Sequence, residues 1–294
     1  MLEFRLPELE DRAWLKPVLE RSGHIGSEYA FGTMYIWRGA YHSKVCRVGD
    51  AVFRSYGKEA LAYALPLGGD LRTNVEIMMA DASERGRDFR MTGLSQAGVQ
   101  ALEQAMPGRF TFVSDRDAAD YIYLSEDLIQ LAGKKYHGKR NHISKFERLY
   151  QWTYEDLSPQ NMDECMALAR EWCKQYGCSK ENGLDKESCA LRVTFDQFGE
   201  LGFIGGMLRV DGKPVAFTIG EQINGEAFVV HFEKALGDYT GAYTMINREF
   251  CRRRLGAYRY INREEDMGLE GLRKAKLSYY PAILLEKYIA RPVQ

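Results

Sequence analysis

From Phe203 onward, apolar and polar positions fall into short runs separated by strong turn signals. FIGGMLRV ends at Asp211-Gly212, VAFTIGEQI ends at Asn224-Gly225, and AFVVHFEK follows. Asp-Gly and Asn-Gly between apolar runs favour tight hairpin turns, so residues 203–233 are predicted to form a three-stranded antiparallel meander. Upstream the period changes to a helical one. Met162, Cys165, Met166, Ala169 and Trp172 or Cys173 recur behind Ser158-Pro159, a cap and first-turn proline, and Leu191, Phe195 and Phe198 stripe a second helix over 185–198. Downstream, LGDYTG opens AYTMINREFCRRRL, striped by Tyr243, Ile246 and Phe250 and stopped at Gly256. AYRYI reads as a strand, the residues up to Ser278 as a short helix, and PAILLEKYI as a last strand. QWTYEDL supplies a strand in front.

The first half echoes this series. A helix over 8–21 precedes the aromatic stretch EYAFGTMYIW, then KVCRV and AVFRSY joined by Gly49-Asp50, then ALAYALPL. A helix over 74–85, the strand DFRMTG, a helix over 97–106 and the strand RFTFV complete it. The separation is too long for a solenoid repeat. The pattern predicts an α/β (α+β) protein of two like domains, 1–130 and 151–294. Between them AGKKYHGKRNHISKFERLY reads as a bridging helix within 131–150. No Pro/Gly/Ser-rich linker intervenes, so the domains are expected to pack directly, each with its own sheet.

Composition narrows the picture. The 294 residues suit two domains, and 45% hydrophobic with 28% charged residues gives a globular chain with a real core. Forty basic against 41 acidic residues leave a net charge of −1, so attraction to nucleic acid or anionic membrane needs a local patch. The bridging segment offers one: Lys134, Lys135, Lys139, Arg140, Lys145 and Arg148 against Glu147, with His137 and His142. These cations suit tRNA or lipid phosphates, and equally a solvated helix face. Arg252, Arg253 and Arg254 read better as complements to a helix macrodipole than as a nucleic-acid site. MLEFRLPELED has no basic leader with an apolar core, and no apolar run nears the roughly 20 residues of a membrane helix. A cytoplasmic protein without an integral membrane segment is expected. Cys46, Cys165, Cys173, Cys178, Cys189 and Cys251 form no CxxC pair and no finger spacing with His, which predicts free thiols and no metal.

A meander whose last strand feeds a loop, a helix and another strand resembles the GNAT acyltransferase fold, in which strands splay apart around the acyl donor. GKKYHGKRNHISKF, HFEKALGDYTGAY and YINREEDMGLEGLRKAKLSYYPAILLEKY resemble the soluble members of the phosphatidylglycerol lysyltransferase C-terminal-like family. Those are tandem GNAT domains related to the Fem aminoacyl transferases. The likeness covers nearly the whole chain and is strongest from Gly133 onward. It implies chemistry on an activated acyl group. Membrane-bound members pass a lysyl group from aminoacyl-tRNA to a lipid hydroxyl; this sequence lacks their membrane helices, which puts a membrane-embedded acceptor in doubt.

Acyl transfer needs a donor cradle, a base and oxyanion stabilisation. Coenzyme A users of the GNAT fold keep a cation, a middle glycine and a small residue before the helix that follows the meander. Here the stretch is Asp238-Tyr239-Thr240-Gly241-Ala242-Tyr243. Asp238 replaces the cation and Tyr243 the small residue, which disfavours coenzyme A; Asp238, Tyr239 and Gly241 remain substrate-binding candidates. Strand alternation puts His231 and Glu233 on one side, opposite Phe228, Val230 and Phe232, as a base and its orienting partner or as a polar strand face. Asn262, Arg263, Glu264, Glu265 and Asp266 follow a strand end and would line the same gap. Asn262 or Arg263 can hold a carbonyl or carboxylate, Glu265 an amine or a proton, and Arg273, Lys274 and Lys276 a phosphate. A salt-bridged turn fits the same residues. The favoured reading is transfer from aminoacyl-tRNA to an amine or hydroxyl acceptor such as a lipid or peptide. An acyl-CoA-dependent N-acetyltransferase and a catalytically silent protein binding RNA or anionic lipid remain open.

Overall fold

The computed structural model describes residues 1–58, 61–176 and 184–293. Its strands are β1 (Lys44–Val48), β2 (Ala51–Tyr56), β3 (Ala62–Tyr63), β4 (Met91–Leu94), β5 (Phe110–Leu124), β6 (Trp152–Asp156), β7 (Ile204–Val210), β8 (Lys213–Gln222), β9 (Ala227–Ala235), β10 (Tyr260–Asn262) and β11 (Ile283–Pro292). Its helices are α1 (Arg12–Arg21), α2 (Phe31–Ile36), α3 (Arg38–Tyr41), α4 (Leu71–Glu84), α5 (Gln96–Ala105), α6 (Ser125–Gln130), α7 (His137–Leu149), α8 (Met162–Tyr176), α9 (Leu184–Asp196), α10 (Phe198–Leu201), α11 (Ala242–Arg254) and α12 (Glu270–Leu277). The predicted meander is β7–β8–β9. Asp211 and Gly212 both take positive φ, 49° and 79°, as the primed hairpin turn requires. The second turn closes differently: Asn224 Oδ1 accepts from the backbone N–H groups of Glu226 (2.9 Å) and Ala227 (3.1 Å).

The two GNAT-like halves do not form separate sheets, as the sequence pattern predicted, but one of eleven strands. Its order is β1-β2-β3-β4-β11-β5-β10-β9-β8-β7-β6. The join has a simple cause. β5 is 15 residues long; most of it pairs with β11, while its end at Ile122–Leu124 pairs with β10. β11, from the chain's last segment, therefore lies between β4 and β5 in the first half. One hydrophobic core also crosses the join, packing Leu15, Tyr29 and Phe31 against Met207, Phe217 and Phe232. A second core gathers α6, α7 and α11 residues such as Leu128, Phe146 and Phe250 under Phe228 and Val230. The third lies wholly within the first half and β11, with Phe53, Met78, Leu102 and Ala290.

The bridging helix is present as α7. It is amphipathic, burying Ile143 and Phe146 and leaving Lys145 and Arg148 in solvent. Among the described helices none is long and apolar enough to cross a membrane. Cys46, Cys165 and Cys251 are buried free thiols and Cys189 an exposed one. Cys173 is disulfide-bonded, which corrects the expectation of free cysteines throughout; Cys178 lies outside the described residues.

Because β11 completes the first-half sheet, truncation after residue 282 should abolish the cooperative thermal transition of the whole chain, not of the second half alone. Circular dichroism and limited proteolysis would check this. A folded, protease-resistant 1–130 fragment in the truncated protein is the contrary result.

Candidate active site

β9 and β10 run parallel over Ala227–Val229 and Tyr260–Asn262; β10 then stops while β9 continues to Ala235. The gap so created is the mouth of a cleft of about 850 Å³ walled by both halves. At its centre the register slips between Ile219–Phe232 and Gly220–Val230, leaving His231 as an extra residue in β9. This bulge breaks the expected alternation. Phe232 joins Val229 in the core that crosses the join, whereas Phe228 and Val230 lie in the other. His231 turns towards Glu221 and α2, and Glu233 towards Asn247 of α11, yet both line the cleft.

From Asn262 at the end of β10 to Asp266, the side chains go to separate places. Asn262 is buried; its Nδ2 donates to the Ile25 carbonyl (2.9 Å) and to Asp120 (2.8 Å), and its Oδ1 accepts from the Glu264 N–H. Arg263 Nη2 donates to Glu233 Oε1 at 2.7 Å. Glu264, at φ 57°, lies 2.9 Å from His231 Nδ1. Glu265 lines the cleft; its own backbone N–H reaches its carboxyl, and among the described residues no other group bonds it. Asp266 accepts from Tyr121, Arg116, Arg273 and the Gly268 N–H. Lys276 fixes this fan of side chains: its buried ammonium donates to the carbonyls of Arg263 (2.5 Å), Glu264 (3.1 Å) and Glu265 (2.5 Å). An ammonium has three protons, and each has a carbonyl here.

These contacts reassign the chemistry. Burial pulls the His231 imidazole down, but its hydrogen bonds to Glu221 (3.1 Å) and Glu264 lift it to about 9. At neutral pH it is an imidazolium held between two carboxylates, with no free nitrogen to act as base. Glu233 is engaged by Arg263 and Asn247. Glu265 differs. Burial pushes its carboxyl up, the Lys287 charge pulls it down, and the charges of Glu264 and Asp120 push again, leaving it at about 7. Of His231, Glu233 and Glu265, it is the one without a side-chain partner among the described residues, and it lies near neutrality.

Of the remaining candidates, Lys139 reaches the cleft, its ammonium 3.7 Å above the Tyr279 ring and 2.7 Å from Ser278 Oγ. Burial, reinforced by the Arg263 charge, lowers it to about 8. Lys134 is exposed, Lys135 pairs with Asp127, and Arg140 donates to the carbonyls of Leu131 and Gly133. Arg273 is not a cleft cation, because Asp266 and Asp117 neutralise it. Lys276 lines the cleft but spends its protons on the loop. Asp238 and Tyr239 lie outside the cleft, Tyr239 against the Tyr150 ring. Gly241, at φ 91°, serves packing: a Cβ there would stand 2.5 Å from the His142 carbonyl of α7. The loop before α11 is thus pressed against the bridging helix.

Sequence reasoning missed the first-half wall, where Glu28, Thr33, Arg54 and Tyr56 line the cleft, and Lys287 of β11 beside them. Lys287 binds Asp120 (2.7 Å) and Glu28 (2.9 Å). The available signal was Arg54 in the apolar strand AVFRSY, a charge at a position facing a core.

A family model described as phosphatidylglycerol lysyltransferase, C-terminal, matches residues 19–291. A crystal structure of a conserved protein of unknown function from Bacteroides thetaiotaomicron is 42% identical, with all of both chains covered and a TM-score of 0.95. The C-terminal domain of a putative lysylphosphatidylglycerol synthetase from Agrobacterium fabrum superposes with a TM-score of 0.69 at 15% identity, covering 96% of this chain and 91% of that one. FemX superposes with a TM-score of 0.60 at 7% identity, over 98% and 97%. These last two likenesses are of fold. A curated protein of Mycoplasmoides gallisepticum is 21% identical over 182 residues, 60% of this chain and 57% of its own length.

Removing one partner of a largely buried ion pair leaves the other uncompensated, so Arg263→Ala should cost about 3–5 kcal/mol of stability by urea unfolding. Glu265→Gln should be neutral or stabilising at pH 7.5, since a carboxyl raised to about 7 disfavours the folded state once ionised. His231 gives a pH signature. Its folded value of about 9 exceeds the ordinary 6.5, so its contribution is full below about 6.5 and lost as pH rises to about 9. Unfolding curves across that window should slope downward in the wild type and flatten in His231→Gln.

Proposed function

The chain belongs to the phosphatidylglycerol lysyltransferase C-terminal family, and from that premise we propose that its cleft transfers an aminoacyl group from aminoacyl-tRNA to an amine or hydroxyl acceptor. The observation that carries this reading is Glu265, a carboxyl that lines the cleft without a side-chain partner among the described residues and is balanced near neutral pH. A base for an attacking amine or hydroxyl needs that state: ionised for a large fraction of molecules, yet able to release its proton again. The nucleophile gives its proton to Glu265 as its bond to the donor carbonyl carbon forms. The ester bond to the ribose oxygen then breaks, and Glu265 returns the proton to that oxygen. Oxyanion stabilisation falls to the cations at the other side of the gap, Arg263 and Lys139.

Lys139 supports a nucleic-acid donor, since it belongs both to the cleft and to the basic helix α7, which carries Arg140 and follows the 3-10 turn with Lys134 and Lys135. A strand-like acceptor end lying along α7 would deliver its acyl group into the gap. Coenzyme A fares worse. Its pyrophosphate would meet Asp238, and the loop that should cradle it is packed on the His142 carbonyl.

The test is transfer from a pool of tRNA charged with radiolabelled amino acids to a mixed pool of amines, peptides and anionic vesicles. Label should leave the tRNA at a rate that rises with pH through about 7, the deprotonation range of Glu265. Glu265→Gln should lower that rate by roughly 10²–10⁴-fold, the usual worth of a positioned base. Labelled acetyl-CoA should give no product. Label that stays on tRNA at every pH, or an equally active Glu265→Gln, overturns the reading.

A further inference from the structure

The first-half arm of the cleft contains a buried cation with no direct ion pair among the described residues. Arg54 is fully buried. Its Nη1 donates to the Glu28 carbonyl at 2.8 Å and its Nη2 makes a long contact of 3.5 Å to the Leu65 carbonyl, while its Nε has no partner. Among the described residues no carboxylate stands within ion-pair distance of it. Its neighbours are treated differently: Lys287 rests on Asp120 and Glu28, Lys234 on Glu187, and Arg263 on Glu233. The Tyr29 ring 4.6 Å away and the Glu28 charge offset part of the cost of burying this guanidinium, and its open Nε leaves a place for a bound counter-charge.

Two further polar groups on the same wall are also unanswered. Tyr56 follows Arg54 by two residues on β2 and so shares its face; its hydroxyl has no partner, and neither has Thr33 Oγ1. All three residues line the cleft. Glu265 completes the set from the opposite side as an acid without a side-chain partner among the described residues. Lys287 stands between the two ends, bonded to Glu28 and close enough to Glu265 to pull on its carboxyl. Among the described residues the arm therefore offers a cation without an ion pair, an acid without a side-chain partner, and the hydroxyls of Tyr56 and Thr33.

We propose that this arm is the acceptor subsite, and that it takes an acceptor bearing both a carboxylate and a nucleophilic amine, an amino acid or short peptide, with the carboxylate on Arg54 and Tyr56 and the amine at Glu265. The assignment of the ligand as acceptor rests on the acyl-transfer reading. A singly charged carboxylate fits better than a phosphate, because the Glu28 and Asp120 carboxylates nearby repel a dianion. An acyl chain in the arm would leave Arg54, Tyr56, Thr33 and Glu265 all unpaired. The reaction that follows forms an amide. The amine nitrogen bonds to the donor carbonyl carbon, its proton passes to Glu265, the ester C–O bond breaks, and the ribose oxygen receives that proton.

Isothermal titration calorimetry of the whole chain separates the possibilities, using Gly-Gly, L-alanine, ethanolamine, acetate and inorganic phosphate. Gly-Gly or L-alanine should saturate one site, and whichever binds tighter identifies peptide or free amino acid as the source. Ethanolamine, lacking a carboxylate, and phosphate should bind at least tenfold more weakly. Arg54→Met should weaken binding at least tenfold with a nearly unchanged melting temperature, because the guanidinium removed has no ion pair among the described residues. Tyr56→Phe, which removes only the hydroxyl, should weaken it several-fold and guards against a misfolded Arg54 variant. The subsite is overturned if phosphate binds as tightly as Gly-Gly, if no amino acid or peptide binds, or if both variants bind like wild type. Gly-Gly binding through Arg54 without any transfer from charged tRNA would sink the acyl-transfer reading and leave the carboxylate site standing. Transfer to anionic vesicles at wild-type rate in Arg54→Met would do the reverse.

Discussion

Three successive carbonyl oxygens, those of Arg263, Glu264 and Glu265, converge on the Lys276 ammonium, and the cleft depends on that convergence. Without it the carbonyls of Arg263 and Glu265 would be left unpaired, and that of Glu264 would keep only the Tyr121 N–H. With it the chain curls tightly enough to put Glu264 at positive φ, and the side chains of consecutive residues leave in different directions. Arg263 goes to Glu233, Glu264 to His231, and Glu265 into open space. Lys276 comes from α12, so the helix after the loop sets the geometry of the loop before it.

The same economy appears in the sheet. A GNAT-like half whose strands splay needs something to hold the far side of the splay. Here β5 does so for the second half, while β11 returns to complete the first. Each half lends the other a strand, and a shared core lies across the join. A cleft walled by strands of one continuous sheet has fixed dimensions. That favours positioning over closure as the source of any catalytic gain.

Charge in the cleft is mostly cancelled within it. Arg263 with Glu233, Lys234 with Glu187, Lys287 with Asp120 and Glu28, and His231 with Glu221 and Glu264 are closed sets. What these pairings leave available to a ligand is Glu265, Arg54, Lys139 and the unpaired Nη1 of Arg263. A pair of charged residues at a strand end is weak guidance until the partners are known, because pairing turns an apparent acid or base into scaffolding.

The sequence alone determined the order of elements, since hairpin turns and helical periods are local properties written in residues a few positions apart. Asp211-Gly212 and the stripes of α7 and α11 are of that kind; the splay was expected only from the resemblance to the GNAT fold. It also marked the NREED stretch, through mixed charge beside glycine, and Glu265 within it. Tertiary structure decided what local pattern cannot carry. A one-residue bulge at His231 reversed the alternation on which its pairing with Glu233 was predicted, and Glu221, ten residues away, and Glu264 turned it into an imidazolium. Gly241 proved to be a packing contact with His142, and Arg273 and Asn262 proved to be structural. The first-half wall, with Arg54 and Tyr56, became visible only once β11 had crossed back to join the halves in one sheet. Contacts between residues 200 positions apart leave no period in the chain; they exist because burial forces each charge to find a partner in space rather than in sequence.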